Sequence, residues 1–593
     1  MDGEAGEAPV LGVVRSVTGR RWLWRPSDAR TGLGIAQRLG LPEMVGRLLA
    51  ARGVGLEDAG HYLEPTLRAL MPDPAVLTDM EAAADRLAAA VRSGEHVAVF
   101  GDYDVDGACS GALMSRFLRD LGCEVTPYVP DRLKEGYGPN APAVAALCDR
   151  GASLIVCVDC GIAAGAALAT AEGRADVVVL DHHKAEGPLP RVLAAVNPNR
   201  LDCRSGLHHV CAATVAFLAA VATVRALRRA GWFARRPEPD LLGLLDLVAL
   251  ATVCDVMPLT GFNRALVAQG LKVMARRGRA GLAALLEVTG ARDAPTAHTL
   301  GFLLGPRINA SGRIGEPDLG LRLLLSEDPV ESRAMAEKLD AVNRRRQEVE
   351  GEVLAAAHAM AEAQADAGRA VLLLVGDGWH PGVVGIVAGR MKERFNRPAC
   401  VAGLSEGLAK GSGRSVPGVD LGAAVIAARQ AGLLETGGGH AMAAGFSFRP
   451  ERAAEVHAFL EERLAHAALL PAAADLLIEG ALHVAAAQPD LAREVGRLAP
   501  FGPGNEEPVF AIQRARVVRA DRVGKEGATV RAIVEGEGGG RLKTICFRAK
   551  EGPLAEALLS AERVPLHLCG HLRAETWNGE TNAALQVLDA ARA

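Results

Sequence analysis

The chain has 593 residues, of which 49% are apolar and 23% charged, and its formal net charge is -4. That length excludes a single ordinary domain and predicts three or four. A purely electrostatic nucleic-acid binder is basic overall, so this charge leaves room only for local basic patches. Aromatic residues make up only 4%, so the cores must be built from Ala, Val and Leu.

The N-terminus, "MDGEAGEAPVLG", is acidic and lacks the apolar segment of a signal peptide. Up to about residue 70 the pattern is a small helical or irregular lead-in. From about 80 to 200 helix and strand alternate. "DMEAAADRLAAAVRSG" is an amphipathic helix ended by Gly94, "HVAVF" a short buried strand, and "ACSGALMSRFLRDLG" a helix ended by Gly122. "EVTPYVP", "SLIVCVD" and "DVVVLD" are further strands. Continuous apolar runs of strand length between helices predict a mostly parallel sheet covered on both faces.

Residues 210 to 325 read as mainly helical, with "DLLGLLDLVALATVCDVMPL" one long apolar helix that carries Asp255 near its end. The stretch from 328 to 366 reads as a single long, charged helix. A second α/β unit follows, from "AVLLLVGD" through "GVVGIVAGRMKERF" and "PACVAGL". After about 468, short strands separated by Gly turns predict a small barrel, with the OB-fold one candidate. The fold class is therefore α/β. Two α/β lobes are joined by a long helix, with a C-terminal β-barrel added. The domains fall at 1–75, 76–326, 327–368, 369–466 and 467–593.

The chemistry gathers at strand ends, where open parallel sheets bind ligands. "HVAVF" is followed by Asp102, Asp104 and Asp106. "SLIVCV" is followed by Asp159, and "DVVVL" by Asp181, His182 and His183. Acids at three successive strand ends repel one another unless a cation neutralises them. Carboxylates with few imidazoles suit Mg²⁺ or Mn²⁺ better than structural zinc. The ligands suffice for two ions sharing one carboxylate, an arrangement suited to phosphoryl displacement.

"DYDVDG", "VDCG", "DHH" and "LVALATVCDVMPL" resemble the four successive motifs of the DHH phosphoesterase superfamily. "GPRINASGRIG", "WHPGVVGIVAGR", "KGSGRS", "GGGHAMAAGF", "APFGPGN" and "WNG…LQVLD" resemble the superfamily's single-strand-specific 5′→3′ exonucleases, over nearly the whole chain. The resemblance implies that the two lobes are a DHH domain and a DHH-associated domain, and that the barrel is an OB-fold. It further implies that Asp104, Asp106, Asp159, His182 and Asp255 hold Mn²⁺ or Mg²⁺, with Asp159 bridging two ions. Asp102 is expected to support the loop or the nucleophilic water, and His183 to contact the scissile phosphate or complete the metal site. Arg132, Arg307, Asn309, Arg313, His380, Arg414, Ser415 and His440 are expected to hold substrate phosphates. Trp577 is expected either to stack a base or to anchor its hairpin.

Two other readings stay open. One is a phosphodiesterase acting on short oligonucleotides or cyclic dinucleotides. The other is a non-catalytic single-strand-binding scaffold. The expected partners are single-stranded DNA, a helicase and a single-strand-binding protein. The expected setting is a cytoplasmic monomer with no membrane contact. His208 and His209 follow no strand and neighbour no Asp, so they are read as structural. Cys157 and Cys160 form a lone C-x-x-C without a second pair at zinc spacing. "RALRRAGWFARR" is assigned no role.

Overall fold

The computed structural model describes residues 8–132, 134–185, 187–471, 473–560, 564–577 and 579–593, without the side chains of Lys525 and Trp577. The chain forms two compact units. The first takes the N-terminal residues up to Leu63, Gln347–Ala499 and Glu507–Ala593. The second takes Glu64–Arg346 and Pro500–Glu506. The first strand, β1 (Trp22–Trp24), lies in the first unit.

The second unit is built on five parallel strands: β2 (His96–Gly101), β3 (Glu124–Tyr128), β4 (Leu154–Val158), β5 (Asp176–Leu180) and β6 (Ala194–Val196). Their order is β3-β2-β4-β5-β6. Alternate residues point to opposite faces, and both faces are covered. Val97, Val99, Val156, Val158, Val178 and Leu180 pack in one core with residues of helices Met80–Ser93, Val105–Asp120 and Ala212–Arg229. Ala98, Phe100, Ile155, Cys157, Val177 and Val179 pack in the other with helix Ala141–Asp149. This double burial is why the strands read as unbroken apolar runs. Cys157 and Cys160 fill the second core as free, fully buried thiols.

The register fixes where the acids fall. Gly101 pairs with Val158, and Val158 with Leu180. The residues that follow, Asp102, Asp159 and Asp181, therefore leave three adjacent strands at one edge. The apolar stretch near residue 250 differs from the single helix expected. A 3₁₀ turn at Leu242–Leu244 precedes helix Leu245–Cys254, and the helix stops because Val256 adopts a left-handed φ of 59°. A π-helical turn, Thr299–Leu304, leads into helix Gly305–Ile314.

Helix Pro329–Asp366 runs unbroken for 38 residues and carries the chain from the second unit into the first. The first unit contains a mixed five-stranded sheet of β7 (Leu372–Asp377), β8 (Ala399–Ser405), β9 (Leu408–Arg414), β10 (Thr436–His440) and β11 (Ala443–Phe448). Its order is β10-β11-β9-β8-β7, and only β7 and β8 are parallel. The C-terminal strands are β12 (Leu476–Ile478), β13 (Gly480–Leu482), β14 (Phe510–Val523), β15 (Thr529–Gly536), β16 (Arg541–Cys546), β17 (Leu566–Trp577) and β18 (Glu580–Arg592). The sheet runs β13-β14-β15-β16-β18-β17, and a second pairing of β14 with β17 closes it into a barrel.

The N-terminal segment up to Leu63 belongs to this first unit. β1 pairs in parallel with β12, and the buried Trp22 donates its indole N–H to Asp589 Oδ2 at 3.0 Å. Arg52 meets the buried Glu479 at 2.6 Å. Among the described residues, no helix is long and apolar enough to cross a membrane.

Candidate metal centre

Each acid is delivered by local backbone structure. Asp104 caps helix Val105–Asp120, its Oδ1 accepting from Gly107 N–H at 3.0 Å. A Cβ on Gly107 would lie 2.4 Å from the carbonyl oxygen of Asp102, so only glycine lets the helix start that close to the strand end. Asp106 is buried, and its two oxygens accept from Ala212 and Ala213 N–H at 2.7 and 2.8 Å. Those amides open helix Ala212–Arg229, whose N-terminus favours the negative charge. Asp159 leaves β4 with a left-handed φ of 60°, a conformation that costs a non-glycine residue about 1–2 kcal/mol. Such strain concentrates at functional sites. Asp255 ends helix Leu245–Cys254.

These groups converge. His182 Nε2 lies 3.3 Å from Asp159 Oδ1, 3.5 Å from Asp255 Oδ2 and 3.7 Å from Asp106 Oδ2. Asp106, His182 and Asp255 form one set of ligand atoms within 4.8 Å of one another. Asp102, Asp104 and Asp159 form a second, and Asp159, His182 and His183 a third. Asp159 and His182 each belong to two sets. Asp102, expected only in support, offers its oxygen on the same footing as Asp104.

The electrostatics show acids held together against their own repulsion. Burial, then the charge of Asp104, pushes Asp102 up to about 7. Burial, then Asp106 and Asp104, pushes Asp255 up to about 8. Asp159 rises well above the usual carboxylate range through burial and the surrounding aspartates, and burial raises Asp106 as well. Asp102 Oδ1, Asp159 Oδ1 and Asp255 Oδ2 are buried with no hydrogen-bond partner. A buried, unpartnered carboxylate oxygen is costly and calls for a cation. Three of them in one cluster, with an imidazole beside them, fit Mn²⁺ or Mg²⁺.

Asp181 is different in kind. Its Oδ1 accepts from His182 N–H at 2.7 Å, His183 N–H at 3.0 Å and His183 Nδ1 at 2.8 Å, and its Oδ2 from Ile162 N–H at 3.0 Å. Burial works to raise its pKa, but the His183 hydrogen bond and charge and the two backbone amides hold it below the ordinary value. In return His183, which burial would lower, is lifted to about 9 by the hydrogen bond and charge of Asp181 and by Asp255 and Asp106. Within the "DHH" motif, Asp181 therefore orients the two imidazoles that follow it.

Sequence reasoning missed several supports. Asn197 and Asn199 donate to the backbone carbonyls of His183 and His182. The Tyr137 hydroxyl donates to the Asp159 carbonyl at 3.0 Å and lies 3.0 Å from His183 Nδ1. The "NPN" after β6 and the Tyr of "EGYG" were visible, but nothing local tied either to the strand ends.

The expected phosphate contacts of the second unit divide. Arg132 is exposed and stacks over the Tyr103 ring at 5.1 Å, beside the acidic loop. Burial and Asp102 raise the Tyr103 pKa to about 12, and Arg132 and Arg313 lie close enough to oppose them. Arg307 is anchored within the unit. Its guanidinium is engaged by Asp340 at 2.8 Å and by the Leu303 carbonyl at 2.7 Å, so it ties two helices together. Asn309 accepts from Val105 N–H through Oδ1 at 3.2 Å, at the start of the helix that carries Asp106. His209 provides its carbonyl to Asn263 Nδ2, in keeping with a structural role.

In the first unit, His380 caps helix Pro381–Phe395, with Nδ1 accepting from Gly382 N–H at 3.0 Å. Burial lowers its pKa, and Nε2 is left as the donor. Arg414 ends β9, and its Nη1 donates to Ser412 Oγ at 2.8 Å and Gly413 O at 2.9 Å. Burial lowers its pKa, and among the described residues it has no carboxylate partner. His440 is exposed and pairs across the hairpin with Ala443, which pairs in turn with Arg414. Ser415 follows Arg414. It is 1% exposed and its hydroxyl donates to Val419 O at 2.7 Å, so it braces the turn after β9. The Trp577 side chain lies outside the described residues.

Known proteins share this arrangement. Three family profiles match in chain order: DHH family, N-terminal domain over residues 96–252, DHHA1 domain over 368–466 and RecJ OB domain over 478–589. A single-stranded-DNA-specific exonuclease RecJ from Bacillus subtilis is 33% identical over 580 residues, covering 96% of this chain and 71% of the relative. The chain belongs to the RecJ family. A second RecJ relative, from Dickeya dadantii, is 39% identical over 525 residues, covering 85% of this chain and 88% of the relative. The crystal structure of RecJ in complex with Mn²⁺ from Thermus thermophilus aligns with a TM-score of 0.78 at 30% identity. The alignment covers 96% of this chain and 78% of that one. The crystal structure of exonuclease RecJ bound to manganese aligns with a TM-score of 0.56 at 36% identity, covering 67% of this chain and 96% of that one.

Proposed function

We propose that this RecJ-family chain is a metal-dependent exonuclease. It hydrolyses single-stranded DNA from the 5′ end to 5′-mononucleotides and serves DNA repair and recombination. The observation that carries the reading is the set of three buried, unpartnered carboxylate oxygens on Asp102, Asp159 and Asp255, of which Asp159 and Asp255 meet His182 and Asp102 neighbours Asp159. The RecJ relatives are exonucleases by name, and the aligned structures hold Mn²⁺.

Asp104, Asp106, Asp159, His182 and Asp255 would hold two Mn²⁺ or Mg²⁺ ions, with Asp159 shared between them. When bound, such ions lower the pKa of water and neutralise charge on phosphate. The protein's own groups do the rest. Asp102, buried beside Asp104 and Asp159, would accept a hydrogen bond from the attacking water as a carboxylate. Asp181 accepts the His183 Nδ1–H and favours the protonated ring against the effect of burial. The ring Nε2–H donates to a phosphoryl oxygen as negative charge builds there. Arg132, Arg313, His380, Arg414 and His440 bind phosphates along the strand, and the barrel gives it a further surface. The reading implies a partner that opens duplex DNA, a single-strand-binding protein nearby and a monomeric enzyme.

The test is time-resolved digestion of 5′- and 3′-labelled single strands beside a duplex, with Mn²⁺. Mononucleotides should appear at once from the 5′-labelled strand, while the 3′-labelled strand shortens progressively and the duplex persists. Equal cleavage of duplex and single strand, or turnover of dinucleotides alone, would refute the proposal.

A further inference from the structure

The motif "APFGPGN" reads in the sequence as part of the C-terminal barrel, but Pro500–Glu506 belongs to the second unit. The segment closes on itself, with Gly502 N–H donating to Asn505 O and Asn505 N–H to Gly502 O, both at 3.0 Å. The fully buried Asn505 donates from Nδ2 to Pro500 O at 2.8 Å. This tight loop lies directly on the residues that follow Asp255. Leu259 N–H donates to Pro503 O at 2.7 Å. A Cβ on Gly502 would stand 2.7 Å from Leu259 Cδ1, and one on Gly504 would stand 3.3 Å from Pro258 Cβ. Arg264, 1% exposed, reaches Pro500 O at 3.4 Å.

What the loop holds is the turn that aims Asp255. That turn is intrinsically unfavourable, because the β-branched Val256 sits at φ 59°. Asn263, four residues past Leu259, donates from Nδ2 to Pro258 O at 3.1 Å and His209 O at 2.7 Å. His209 lies just before the helix whose first amides hold Asp106. One network therefore braces both Asp255 and Asp106 from behind, and the Pro500–Glu506 loop forms its outer wall.

We propose that Pro500–Glu506 is a positioning clasp for the metal centre, with Gly502 and Asn505 as its positioning residues. It fixes the Val256 turn so that Asp255 meets His182 and Asp106 at ligand spacing. The inference rests on the assignment of Asp255 as a metal ligand.

The test is Mn²⁺ binding by isothermal titration calorimetry on the full chain, alongside the Mn²⁺ concentration that gives half-maximal activity. Loss of a group bonded directly to a ligand weakens metal binding by roughly 10–100-fold, so loss of this more distant support should weaken it by up to about tenfold. Gly502→Ala should do so, shift the activation curve by the same factor, and recover most of its turnover at saturating Mn²⁺. Adding Leu259→Ala, which makes room for the new methyl, should restore part of the affinity. Asn505→Ala reads the same quantity without a clash should Gly502→Ala fail to fold. Wild-type Mn²⁺ affinity in folded Gly502→Ala or Asn505→Ala protein overturns the clasp. Asp255→Asn separates the two levels. If it binds Mn²⁺ as wild type does, the metal assignment itself has failed. If it loses an ion while the loop variants keep theirs, only the clasp has failed.

Discussion

Removing the divalent ions should make folding stability fall as the pH rises, and the size of the fall follows from the buried acids. Asp102 is 5% exposed and has a pKa of about 7, against 3.8 for an unperturbed Asp. Between those values the folded chain holds a proton that the unfolded chain has released, so stability declines as pH climbs through the window. A carboxyl that binds its proton about a thousandfold more tightly when folded costs ~4 kcal/mol above the window, at ~1.4 kcal/mol per tenfold. Asp255, raised to about 8, acts in the same direction. The two share neighbours, so their costs do not add. His183, raised to about 9, reinforces the trend, because the stability it contributes below pH 6.5 is lost as pH rises through 9. About two of those pH units lie above pH 5, so ~2.7 kcal/mol is lost there, and at roughly 2 °C per kcal/mol for a unit of this size the metal-free protein should lose about 5 °C of melting temperature between pH 5 and pH 8. Mg²⁺ should restore most of that loss at pH 8 and matter little at pH 5. Calorimetric melts in EDTA and in Mg²⁺ across this range decide the point. A flat metal-free profile, or a Mg²⁺ effect of equal size at both ends, would sink the idea that these acids are held for cations.

Asp159→Ala should abolish hydrolysis while single-strand affinity stays within a few-fold, checked by digestion and by fluorescence anisotropy. Normal turnover would remove Asp159 as the shared ligand. Arg414→Ala takes away a half-buried cation with no carboxylate partner among the described residues, so the melting temperature should hold or rise while affinity for single strands drops about tenfold, the scale of one charged hydrogen bond. The reverse pattern, lower stability with intact binding, would make Arg414 structural. Gly107→Ala forces a methyl to within 2.4–2.6 Å of the Asp102 backbone. It should cost Mn²⁺ binding before it costs the fold, as calorimetry set beside circular dichroism would show.

The strand-end acids were legible because a parallel sheet makes a local pattern carry long-range information. An apolar run followed by Asp names the edge at which that Asp will stand, whichever strand it leaves. Asp102, Asp159 and the DHH motif could be placed together without any contact being known. Asp255 lacks that logic. It closes a helix, so its membership rested on family resemblance, and only the structure shows it 3.5 Å from His182. Arginines and hydroxyls were the least legible, because an Arg in a basic motif reads the same whether it faces DNA or a neighbouring carboxylate. Arg307 is held by Asp340, 33 residues along the chain, and Ser415 by a carbonyl four residues away. No composition or spacing rule separates those cases from Arg414.

The remaining misses share one cause. β1 pairs with β12, and Leu259 with Pro503, across hundreds of residues. Each rests on a few backbone hydrogen bonds that any sequence with the right φ and ψ could make. Such contacts leave a trace only where sterics forbid a side chain, as at Gly502 against Leu259. A glycine-rich loop in a β-rich segment reads as a turn of that segment, because turn chemistry is local and docking is not. The glycines of "PFGPGN" therefore carry two meanings at once. They close the loop, and they allow it to lie against the residues that follow Asp255. Substituting them one at a time separates the two. Gly504, at φ 71°, answers mainly for loop closure. Gly502, whose added Cβ would strike Leu259 at 2.7 Å, answers for the docked contact.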